Sequence, residues 1–168
     1  MKSLLSATEH LSLRWGARVP MVLQTEAAEC ALACLAMVSG FHGAPCEISE
    51  LRRRLSVSLK GVTLADLVNM AEEVGFASRP LRLELDELDA LRLPCILHWD
   101  MNHFVVLKSV GRDSVVIHDP AVGVRKLPMA MMARQFTGVA LELSPTSAFE
   151  PAARPPRVRM RSVLGRMV

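Results

Sequence analysis

From Cys30 to Val38, within the stretch QTEAAECALACLAMVSG, every residue is apolar. A helix with no polar face cannot lie on a surface, so the rest of the chain has to wrap around it. The pattern predicts that helix over Glu26 to Gly40. Thr25 is available to cap it, Glu26 and Glu29 favour its positive end, and Gly40 or Gly43 stops it. A core helix has no packing need for a thiol at its opening, Cys30, or for the polar Gln24 just ahead of it. A nucleophile has a use for both.

The chain has 168 residues, 51% hydrophobic and 22% charged, enough to bury one core. Aromatics make up 4% and tyrosine is absent, which argues against a base-stacking platform. The net charge is +3 with no basic block in the first 150 residues, so nucleic acid is not expected as a partner. The N-terminus lacks a signal-peptide pattern and no apolar run is long enough to span a membrane. The cysteines at 30, 34, 46 and 95 are therefore read as reduced thiols. Cys30 and Cys34 have no matching Cys/His pair elsewhere, so neither a structural zinc site nor any other metal site is expected. Cys34 reads as core packing, and Cys46 and Cys95 carry no evident chemistry.

Ahead of the helix, residues around Leu4 to Trp15 carry a weak helical pattern, and Pro20 keeps Val19 to Leu23 extended. Two further helices are expected, over Ile48 to Leu55 and Thr63 to Val74. The second opens on a Thr63/Asp66 capping box and ends at Gly75. The period then shifts to alternation over Phe76 to Leu83, with a helical turn near Leu85 to Leu91. Strands follow at Cys95–Trp99, Phe104–Val110, Ser114–His118, Gly123–Leu127 and Val139–Leu143. Helices first and antiparallel strands second make an α+β fold. The folded domain is expected over 1–145. Residues 146–168 read as a Pro/Arg-rich linker and tail, either solvated or approaching a membrane surface.

The two runs around Gly111-Arg112-Asp113 make a hairpin. A turn centred there sets His103 opposite Asp119 or within about two residues of it, roughly 7 Å at the strand rise. An imidazole beside a carboxylate is the pairing that orients a general base. Alternation turns His118 to the other face from Asp119, while His98 is a competitor of less certain register and the pattern assigns His10 and His42 no acidic partner. A thiol at a helix N-terminus near an imidazolium attacks carbonyls well. The oxyanion so formed needs donors, and the Cys30 backbone N–H and the Gln24 amide are available. Gln24, Cys30, His103 and Asp119 stand in the chain order of papain-like cysteine peptidases.

The segments QTEAAECALACLAMVSGFHG, LRRRLSVSLKGVTLADLVNMAEEVGF, LPCILHWDMNHFVVL and VVIHDPAVGVRKL also resemble the N-terminal peptidase domain of bacteriocin exporters. These are the peptidase-containing ABC transporters, and the likeness is to the colicin V secretion type. The resemblance implies a papain-like α+β fold on the cytoplasmic side of the bacterial inner membrane. It implies cleavage of a leader from a precursor peptide after a double glycine, before export. Carried over by position, it implies Cys30 as nucleophile, His103 as base, Asp119 as orienting acid and Gln24 in the oxyanion hole. One departure is Ala31, where the family usually has glycine. The implied partners are a precursor with an amphipathic leader ending in Gly-Gly, and the transmembrane and ATPase domains of the same exporter. No GxxxxGK[ST] occurs here, so ATP is expected only on that separate ATPase domain, with no cofactor in this chain. The isolated domain is expected to be a monomer and the full exporter a dimer. Pro155 to Val168 would lead to the transmembrane part; a free-standing peptidase with a tail is the other arrangement. Two other functions fit the same constellation: an idle peptidase-like domain that binds the export substrate, and another papain-like amidase or acyl transfer.

Overall fold

The computed structural model describes residues 18–55 and 61–151. The helix expected near Leu4 to Trp15 and the tail beyond 151 lie outside the described residues. The apolar stretch forms α1, Cys30–Phe41, preceded by one 3-10 turn, Ala27–Glu29. Residues 30 to 39 are all buried, as a helix without a polar face requires. It ends when Gly43 takes a left-handed φ of 95°, rather than at Gly40. The expected Thr25 cap is not what opens it. Glu26 and Glu29 form a reciprocal capping box, and the Thr25 hydroxyl instead donates to Glu29 at 2.6 Å.

Helices α2, Ile48–Arg54, and α3, Leu64–Val74, follow. The Thr63/Asp66 capping box of α3 is present, and Gly75 closes the helix at φ 99°. Six antiparallel strands make one sheet: β1 Phe76–Arg82, β2 Cys95–Trp99, β3 His103–Val110, β4 Ser114–Asp119, β5 Gly123–Pro128 and β6 Phe136–Pro145. Their order is β1-β6-β2-β3-β4-β5, so the last strand threads between the first and second. A 3-10 turn, Leu85–Ala90, links β1 to β2. An unforeseen helix, α4, Met129–Gln135, precedes β6.

Alternation along the strands feeds two cores. Phe76, Ile96, Phe104, Val106 and Leu141 pack with α1, α2 and α3. Leu97, Trp99, Val105, Leu107, Val115 and Ile117 pack on the other face with Leu88 and Met132. The packed part extends past residue 145. The Thr146 N–H donates to the Gly75 carbonyl at 2.9 Å, and the buried Phe149 ring lies 4.6 Å from that of Phe76. Among the described residues, no helix is long and apolar enough to cross a membrane.

One irregularity sets the functional hairpin. Beside the turn, Val110 pairs with Val115 and Ser109 with Val116, but beyond it Leu107 pairs with Ile117 and Val106 with His118. Lys108 is thus an extra residue in a β-bulge. Continued in the register of the turn, the ladder would put His103 and Asp119 on opposite faces. The bulge slips it by one and returns both to the same side.

Candidate active site

Cys30 is the first residue of α1 and is 5% exposed. His103 opens β3 and Asp119 closes β4, so the bulged hairpin brings them together. The His103 Nε2 lies 2.8 Å from Asp119 Oδ1. That leaves Nδ1 as the ring nitrogen free to face another group, and Cys30 lies near enough to help raise the imidazole. Gln24 is tied in from the other side, its backbone N–H donating to the Pro120 carbonyl at 2.9 Å. Its side-chain Oε1 is buried without a partner.

The β2–β3 turn that delivers His103 is held by the helix sequence reasoning missed. Asp100 and Met101 take positive φ values of 45° and 66°, a conformation L-residues adopt only when held. The Asp100 N–H donates to the Gln135 carbonyl at the end of α4, and the Gln135 amide returns a bond to the Asp100 carboxylate at 3.0 Å. A helical start at Met129 was hidden because Pro128 stands at the N-cap position and no acid follows in the first turn.

The electrostatics follow from the geometry. Burial opposes a charge on His103, but the Asp119 hydrogen bond and the Cys30 contact outweigh it and raise the imidazole to about 9. Burial likewise works against ionisation of Asp119. The bonds from His103 and from the Ala121 N–H, at 3.0 Å, more than reverse this and hold the carboxyl below its ordinary range. Arg125 on β5 adds to that effect, 3.5 Å from Oδ2. Sequence reasoning missed Arg125; its alternate position to Arg-free neighbours in VGVRKLP carries no local signal.

Two other histidines are committed elsewhere. His118 Nδ1 meets the Pro20 carbonyl at 3.2 Å on the opposite face of β4, and His98 Nδ1 pairs with the Thr137 hydroxyl at 2.9 Å. Cys34 and Cys95 are fully buried, and burial pushes both thiols up, Cys95 to about 12.

Residues 18–148 match the sequence profile of the peptidase C39 family. The chain belongs to that family. It is 51% identical over 154 residues to the colicin V secretion/processing ATP-binding protein CvaB of Escherichia coli, covering 92% of this chain and 22% of that protein. The C39 domain therefore spans about a fifth of the length of the curated relatives it matches. Its fold resembles a double glycine motif protease from an AMS/PCAT transporter, solved in complex with the leader peptide. That pair is 37% identical with a TM-score of 0.72, over 77% of this chain and 94% of the other. The peptidase domain of Streptococcus ComA, a bi-functional ABC transporter, matches with a TM-score of 0.71 at 26% identity, over 77% and 100%. The family is one of cysteine peptidases, and the α+β architecture is the papain-like one of these neighbours.

Proposed function

We propose that this C39 domain is a thiol endopeptidase that removes the leader from a bacteriocin- or microcin-type precursor by cutting after a Gly-Gly pair. The observation that carries the reading is the His103–Asp119 hydrogen bond at 2.8 Å, with Cys30 at the opening of α1 near enough to help raise the imidazole. The raised imidazole keeps a proton on His103 at neutral pH, beside the Cys30 sulfur that it serves. Cys30 also stands at the positive end of α1.

Cys30 Sγ attacks the carbonyl carbon of the second glycine. Its oxygen becomes an oxyanion facing the Gln24 amide and the Cys30 N–H. As the C–N bond breaks, His103 gives its proton to the leaving amine, and the leader remains as a thioester on Cys30. Water then attacks the thioester while His103 takes its proton. The C–S bond breaks, the leader departs as a carboxylic acid that loses its proton to solvent, and Cys30 and His103 return to their starting state. Asp119 keeps the ring aligned throughout. A groove of about 690 Å³ between the start of α3 and the β2–β3 turn, walled by Val62, Leu64, His98, Met101, Phe104 and Val139, supports docking of an amphipathic leader. Glycine specificity follows if the approach to Cys30 excludes side chains.

In the full exporter we place this domain on the cytoplasmic side of the bacterial inner membrane, joined to transmembrane and ATPase domains in a dimer. ATP would act on the ATPase domain alone, and the isolated domain would be a monomer. The test is digestion of a synthetic leader–core peptide with Gly-Gly at the junction, followed by mass spectrometry of the products. A single cut after the second glycine, lost when either glycine becomes valine, is expected. Tight binding of the peptide with no cut would replace the peptidase by a substrate-binding module.

A further inference from the structure

Residues 25–29, the turn between Gln24 and Cys30, are wrapped around one carboxylate. Glu29 is 3% exposed. Its Oε2 accepts from the Thr25 N–H at 3.1 Å, the Thr25 hydroxyl at 2.6 Å and the Glu26 N–H at 3.0 Å. Its Oε1 accepts the guanidinium of Arg52 from α2, with Nε at 2.8 Å and a second contact from the terminal nitrogen. Arg52 also reaches the Thr25 hydroxyl at 3.4 Å. A buried carboxylate with this many charge-assisted partners is fixed in place, and so is the backbone that supplies them.

The residues on either side of this locked turn are the two expected to bind the oxyanion. Gln24 is pinned behind by its N–H to Pro120 O, while its side-chain Oε1 is buried without a partner. A polar atom left so inside a fold costs about 1–3 kcal/mol unless it serves something else. The backbone from which the amide projects is fixed by the Pro120 bond behind it and by the locked turn ahead.

We propose that Glu29 and Arg52 are positioning residues for catalysis, fixing the span between the Gln24 amide and the Cys30 N–H so that both donors meet the same oxyanion. This rests on the peptidase reading above. The pair acts through the turn and touches no reacting atom. Its effect belongs in the transition state, where the oxyanion exists, and not in substrate binding or in the thiol itself.

The test measures kcat and KM on the Gly-Gly peptide, together with the rate of Cys30 alkylation by iodoacetamide, a displacement that forms no oxyanion. Arg52→Met alters a side chain half exposed to solvent, and urea unfolding confirms that the variant is folded before it is assayed. Glu29→Gln, which retains shape and loses charge, is the companion. Each is expected to lower kcat roughly ten- to a hundredfold, short of the ~10²–10³ for complete loss of one oxyanion donor. KM and the alkylation rate should stay within about twofold. In a Gln24→Ala background, Arg52→Met should cost nothing further, since both act on the same donor. Multiplying losses in the double variant, or alkylation falling along with kcat, would overturn the proposal. Wild-type cleavage by Gln24→Ala would also overturn it while leaving the peptidase standing, whereas full activity in Cys30→Ala would remove the peptidase reading itself.

Discussion

Replacing Asp119 by asparagine keeps the shape of the site and removes one charge. The consequence for His103 can be worked from the structure. The imidazole stands at about 9 against an ordinary 6.5, a preference for the charged form of about 3 kcal/mol. Burial pulls the other way, so the whole preference depends on Asp119 and Cys30. Without the carboxylate only Cys30 still opposes burial, so His103 should titrate well below 9, towards the ordinary value. At the ordinary value the imidazolium population at pH 7.5 is about a tenth. Lost orientation adds to this, placing the rate within the ~10²–10⁴-fold range of general acid–base effects. Histidine Cε1–H NMR titration of both proteins reads the first effect, and peptide cleavage across pH reads the second. Because the folded-state value is raised, this pair's stabilisation is full below about pH 6.5 and is lost as pH rises through about 9. Urea unfolding should therefore show wild type and Asp119→Asn furthest apart near pH 6 and converging near pH 10. If His103 still titrates near 9 in the variant, or cleavage stays within twofold at every pH, the reasoning about this pair is wrong.

Glu29 offers the opposite sign: burial alone would raise it, but bonds from Thr25, Arg52 and the Glu26 N–H hold it down to about 2. Its contribution, about 3 kcal/mol, is present above pH 4.5 and lost as pH falls through about 2, so the stability gap between wild type and Glu29→Gln should close over that window in urea titrations. Arg125→Met removes a positive charge 3.5 Å from Asp119, and should move the alkaline limb of the cleavage profile upward, since His103⁺ then has the carboxylate to itself. Gly75→Ala puts a side chain at φ 99° with its Cβ 2.7 Å from the Phe149 backbone; a loss of roughly 1–3 kcal/mol is expected by calorimetry. Deleting Lys108, the exposed bulge residue, leaves every ladder pair on the His103 side in place, so cleavage should survive. An alanine added between Phe104 and Val105 should abolish it by turning His103 to the other face.

Local chemistry was legible where a signal and its consequence lie close together. The Thr63/Asp66 box, the glycine stop at 75 and the limits of β2 are of this kind, and all three appear in the structure. The hairpin was legible in outline, because His103 and Asp119 are near in sequence and share a turn. Its bulge was not: the slip at Lys108 depends on which strand faces pack in the two cores, a tertiary fact. β6 begins at Phe136, earlier than alternation suggests, because Gly138 at φ 83° reads as a breaker. A register shift against Leu97 to Trp99 absorbs that glycine inside the strand. Thr25 reads as a cap by type and position, yet Glu29 takes its hydroxyl because Arg52 draws the carboxylate over the turn from another helix. Phe149 lies in a stretch whose prolines read as linker, and its burial depends on an aromatic neighbour, Phe76, far back in the chain.

The central claim is that Cys30 is the nucleophile of a leader peptidase, and one comparison reaches it directly. Wild type and Cys30→Ala are each incubated with the leader–core peptide, and the products are weighed by mass spectrometry. The account predicts leader ending in Gly-Gly and intact core from wild type, and uncut peptide from Cys30→Ala. The same two products from both proteins would contradict it.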